Sequence, residues 1–156
     1  MLSQCSGDCE GPYWTCPKAA FSHVVKRIED DGTWGHFLRV ARNSSVGLRM
    51  QMMGPMSYGY DYKSNRERRL AFLAAFLDDP AVRDRSVEAS KFSGPSAGFT
   101  FPTIQVRDFA AMQIAEVLAL DDCPDKFWTA ARWTTLREKV RKRIGSMKLP
   151  RLQEGP

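Results

Sequence analysis

The sequence predicts an all-α protein: an irregular helical bundle, or a short array of helix pairs, of about five helices. Three observations lead there. Apolar residues recur at three and four positions in segment after segment, the period of a helix face. One segment, IQVRDFAAMQIAEVLAL (104–120), is apolar on almost every side and therefore belongs at the centre of a packed structure. No run of alternating residues is long enough, or well enough bounded by turn residues, to define a strand. The 156 residues suffice for one domain with its own core, and 43% hydrophobic with 26% charged residues is the composition of a globular chain.

The elements follow in order. Residues 1–16 carry Gly, Pro, Ser, Asp and Cys and read as an irregular segment. PKAAFSHVVKRIEDDG reads as a first helix, with Pro17 in its first turn, Phe21, Val24, Val25 and Ile28 on one face, and Gly32 as its stop. TWGHFLRVARN (33–43) is a short second helix. In SSVGLRMQMMGPM the residues Val46, Leu48, Met50 and Met52 alternate, which favours an extended segment, with a helical turn as the alternative; Gly54-Pro55 breaks either. Four methionines in seven residues read as filler for an irregular gap in the core, with an adaptable binding surface as the alternative. NRERRLAFLAAFLDD is a helix capped by Ser64 or Asn65, with Leu70, Leu73, Phe76 and Leu77 as its stripe. Its first turns carry Arg66, Arg68 and Arg69, poorly matched to the positive end of the helix dipole, so acidic neighbours are expected.

DDPAVRD turns, and residues 86–102 form a long aromatic insert with Phe92, Phe99 and Phe101. The helix at 104–119 follows. On a helical wheel Val106, Phe109, Ala110, Ile114, Val117 and Leu118 make one face, and the small residues Ala111, Ala115 and Ala119 admit a second helix on the other. FWTAARWTTLREKVRKRIG is the last helix, with Trp133, Leu136, Val140 and Ile144 inward and Arg137, Lys139, Arg141, Lys142 and Arg143 towards water. The domain assignment is therefore a Cys-containing segment at 1–16, one helical domain at 17–149 and a tail at 150–156.

The residues of the turn and the central helix resemble a HEAT-type helical repeat. In that family a D-P-x-V-R turn ends the first helix of a pair and V-R-x-x-A-A lies on the second. Asp79, Pro80, Val82 and Arg83 match the turn; Val106, Arg107, Ala110 and Ala111 match the helix. The order FLDD…VRD…VRDFAAMQ…W…LREKVR is also similar to segments of bacterial proteins with HEAT-like ends. The resemblance spans residues 65–145 and departs from the family in the interruption at 85–103. It implies that Asp79 and Arg107 are architectural, and that the chain is a non-catalytic protein-interaction or scaffold domain whose partner is another protein.

The charge distribution supports a second reading. Net charge is +5, yet between Arg137 and Arg151 stand seven basic residues and one acidic residue, leaving 16 basic and 17 acidic residues elsewhere. The alternative is therefore a binder of nucleic acid or another polyanion through residues 132–151. The candidate contact residues are thus Phe99 and Phe101 of the insert, and Arg137, Arg141, Lys142 and Arg143 of the last helix. No cofactor is expected. Cys5, Cys9 and Cys16 are more widely spaced than a usual zinc knuckle and read as reduced cysteines, with a metal site completed by His23 or a disulfide between two of them as the alternatives. His36 stands in no catalytic motif, and Asp78-Asp79 and Asp121-Asp122 follow helices, where Asp starts turns. With no apolar run near the ~20 residues of a membrane span and no basic, apolar leader at residues 1–14, the expected place is the cytoplasm.

Overall fold

The structure, a computed structural model, describes residues 24–57, 64–84, 103–122, 124 and 127–153. It is an all-α fold with one short two-stranded sheet. The elements are α1 (Asp31–Arg42), α2 (Val46–Met53) running into a 3-10 turn at Gly54–Met56, α3 (Arg66–Ala74), β1 (Val82–Asp84), β2 (Thr103–Gln105), α4 (Val106–Val117) and α5 (Ala130–Gly145). A further helical stretch occupies residues 24–27. The segment 1–16, the start of the first expected helix and the insert at 86–102 lie outside the described residues.

Gly32 is not the stop of the first helix, which ends at residue 27. Its last carbonyls are satisfied from far along the chain: Asn65 Nδ2 donates to Val25 O and Ile28 O at 3.0 and 2.7 Å, and Trp34 Nε1 donates to Ile28 O at 2.9 Å. Asp30 then starts α1, its carboxylate accepting from the Thr33 amide and hydroxyl, both at 2.7 Å. These bonds, the side-chain one first, hold the Asp30 carboxyl below its ordinary range. Asn65 stands at the start of α3 in a left-handed conformation, with φ of 52°. It gives no side-chain cap to α3: its Oδ1, the atom a cap would use, accepts from Arg68 Nη1 at 3.1 Å, while its Nδ2 serves the earlier helix.

The extended reading of residues 46–52 is overturned by α2. Ser45 caps it, its Oγ accepting from Leu48 N at 3.3 Å. The decisive spacing is Met50, Met53 and Met56, which are 3%, 0% and 0% exposed. Three apolar residues at intervals of three fit a helix running into a 3-10 turn and outweigh the alternation of Leu48 and Met52. Met50, Met53 and Met56 are core filler, as expected.

The core joins Trp34, Leu38 and Ala41 of α1 to Leu70, Phe72 and Leu73 of α3, Phe76 and Leu77 just beyond it, and α4. Edge-to-face rings link Trp34 to Phe72 at 6.4 Å and Phe72 to Phe76 at 5.4 Å between centroids. α4 packs against α2, α3 and α5. Ile114 and Ala115 are fully buried on its two sides, and Ala110 and Ala111 leave the space in which neighbouring helices approach. On α5, Trp133, Leu136 and Val140 face inward, and Ile144 is half-buried. Leu149 and Leu152 pack on the same core, so the chain follows the body into residues 150–153.

The expected helix over 104–119 begins two residues late, because Ile104 and Gln105 belong to β2. β1 and β2 pair antiparallel, with Val82 opposite Gln105, Arg83 opposite Ile104 and Asp84 opposite Thr103. This stem brings together the two ends of the insert. The Val106 amide donates to Ala81 O and the Arg107 amide to Asp79 O, each at 2.9 Å. Gln105 gives no side-chain cap, so the carbonyls of the Asp79–Ala81 turn satisfy two of the amides that open α4.

The same turn anchors the other helices. Asp79 Oδ1 accepts from Ala81 N at 2.9 Å, and Oδ2 pairs with Arg49 Nη1. Arg49 in turn donates to Ala41 O, Arg42 O and Ser44 O at 3.1, 3.0 and 3.1 Å, closing the C-terminal end of α1. One guanidinium on α2 therefore ties α1 to the turn after α3.

Two predictions arise from this packing. Ile114→Asp places an unpaired charge in the centre of the core, a cost of several kcal/mol, and the variant is expected to lose its cooperative thermal transition; a native-like melt would contradict the burial of α4. Arg49→Met strands the Asp79 carboxylate and three carbonyls, and urea unfolding is expected to show a loss of about 3 kcal/mol. A loss below about 0.5 kcal/mol, the scale of an ordinary surface change, would show that this tie is dispensable.

Candidate functional site

The ionisable groups divide into those that tie elements together and those turned to solvent. Asp108, in the first turn of α4, pairs with Arg137 of α5, whose Nη2 also donates to Thr134 Oγ1 at 2.7 Å. Both side chains are 10% exposed. The expectation that Arg137 faces water is therefore corrected: it lies beside the inward stripe, and the carboxylate facing it from α4 supplies the charge that its burial requires. Arg137 leaves the set of contact residues.

Arg141 is exposed but bridges two elements, its Nη2 reaching Leu77 O at 2.9 Å and Asp78 Oδ1 at 2.5 Å. Lys139 pairs with Asp122. Arg68 of α3 pairs with Asp31 at 2.6 Å, the acidic neighbour expected for that arginine cluster. Asp78, Asp79 and Asp122 are thus each matched to a cation rather than to one another. Arg107 directs its Nε to Gln105 Oε1 at 2.5 Å. Asp79 and Arg107 meet through the main chain, and Asp79 takes its ion pair from Arg49.

A second polar cluster lies between the 3-10 turn and α4. Ser57 and Gln113 are buried, and Ser57 Oγ lies within hydrogen-bonding reach of Gln113 Oε1, of Glu116 Oε2 at 2.9 Å and of Gly54 O at 3.3 Å. A hydroxyl has one proton to donate, so three acceptors compete for it. Although Glu116 as a residue is exposed, its carboxylate turns back onto this cluster. Desolvation raises its pKa above the ordinary range, opposed by the Ser57 hydrogen bond.

The basic face of α5 keeps open charge. Lys142, Arg143, Lys148 and Arg151 are exposed, with no ion-pair partner among the described residues. Lys142 and Arg143 also stand in the last turn, where each gains about 0.3–1 kcal/mol from the helix dipole. At the opposite end Phe127 is 76% exposed. Next to it, Arg132 lies over the Trp128 ring at 4.6 Å, and Trp128 packs on Trp133 at 5.1 Å. The sequence reading took Arg132, Lys148 and Arg151 into the basic stretch 132–151 without naming them as contact residues, and passed over Phe127 and Trp128. The signal was present in FWTAAR, where aromatic residues and an arginine open a basic helix. Phe99 and Phe101 lie outside the described residues.

Among the described residues no group of three or more His, Cys, Asp and Glu side chains is placed to hold a metal ion. Cys5, Cys9, Cys16 and His23 lie outside them. His36 is exposed, its Nδ1 at 3.1 Å from Arg39 Nη2. No helix among them is long and apolar enough to cross a membrane. No family model, no curated protein and no solved structure matches the chain.

A pH dependence follows from Glu116. Because its folded-state pKa is raised, its contribution to stability is full below the ordinary Glu range and is lost as pH rises through the raised value. Glu116→Gln removes that loss. Thermal melts between about pH 4 and pH 7 are expected to show the variant gaining on the native chain as pH rises. A difference that does not change with pH would contradict the desolvated carboxylate.

Proposed function

We propose that the chain is a non-catalytic interaction domain of scaffold type, in which a rigid helical body presents the α5 face to another macromolecule. The observation that carries this reading is the division of charge. Carboxylates and guanidiniums at the helix contacts are committed to ion pairs, while Lys142, Arg143, Lys148 and Arg151 remain open on one side. Helical scaffolds of the HEAT type act by presenting such surfaces. The resemblance to that family is supported by the meeting of its two sequence pieces, for the Asp79–Ala81 turn accepts the first amides of the Val106–Ala111 stretch across the insert.

A protein partner is what the resemblance implies, and the open cations favour one dense in negative charge. Arg141 belongs to this face only as its structural edge, since its guanidinium already holds Leu77 O and Asp78.

Retention on heparin, a polyanion without sequence, tests the reading. The native chain is expected to bind at low salt and elute as salt rises. Changing Lys142, Arg143, Lys148 and Arg151 to Gln is expected to abolish retention while altering stability by less than about 1 kcal/mol, since these are exposed groups. Unchanged retention of the fourfold variant would overturn the assignment of this face.

A further inference from the structure

We draw no further inference here: the strongest candidate, the Ser57–Gln113–Glu116 polar cluster between the 3-10 turn and α4, rests on the raised pKa of Glu116, whose consequence for stability is already derived, and residues 58–63, which follow Ser57 directly, lie outside the described residues.

Discussion

The Arg49–Asp79 ion pair is the constraint on which the arrangement of helices depends. Its partners are 30 residues apart in sequence. Around it, Arg49 closes the end of α1, and Asp79 shapes the turn after α3 and offers its carbonyl to α4. The two side chains are 14% and 21% exposed, so neither charge is well hydrated without the other. A half-buried pair of this kind adds less to net stability than its distance suggests, but it penalises every alternative packing that separates its members. The same logic recurs at Asp108 and Arg137, which fix α5 against α4.

Between these two ties, α4 is held on all sides. Its burial supplies the hydrophobic contribution, and its small residues allow close approach of its neighbours. Its first amides need acceptors, and the turn at Asp79–Ala81 supplies them because β1 and β2 pair. That stem joins the residues on either side of the insert and holds the turn against the start of α4 despite the long interruption in sequence. The outer flank of α5 is a surface that the packing does not consume, and the proposed docking face lies there.

The residues reveal unequal shares of this. The stripes of α4 and α5 were legible because each repeats the helical period over three turns or more, and burial simply realises that pattern. The pairing of β1 with β2 was not, since three-residue strands carry no readable alternation and their register is set by neighbouring carbonyls and amides. α2 was misread because Leu48 and Met52 mimic alternation, whereas the core selects Met50, Met53 and Met56. The end of the first helix was hidden for another reason: Asn65 supplies its cap from far along the chain, and local sequence holds no trace of that. Arg137 was placed in solvent by charge type alone, although the wheel sets it near Trp133. For the candidate site, the basic character of α5 was visible as a cluster, but which cations stay open depends on Asp78, Asp108 and Asp122, and pairing across the fold cannot be read along the chain.

Native-state amide exchange tests the central claim most directly. The amides of Ala81, Val106 and Arg107 donate to Asp79 Oδ1, Ala81 O and Asp79 O. If the Asp79 turn organises the fold, these three amides open only with the whole molecule and exchange with the same free energy as the amide of Ile114, deep in α4. Exchange of all three through a low-energy local opening, with Ile114 still protected to the global limit, would show that the turn is a surface connection and that the helices hold together without it.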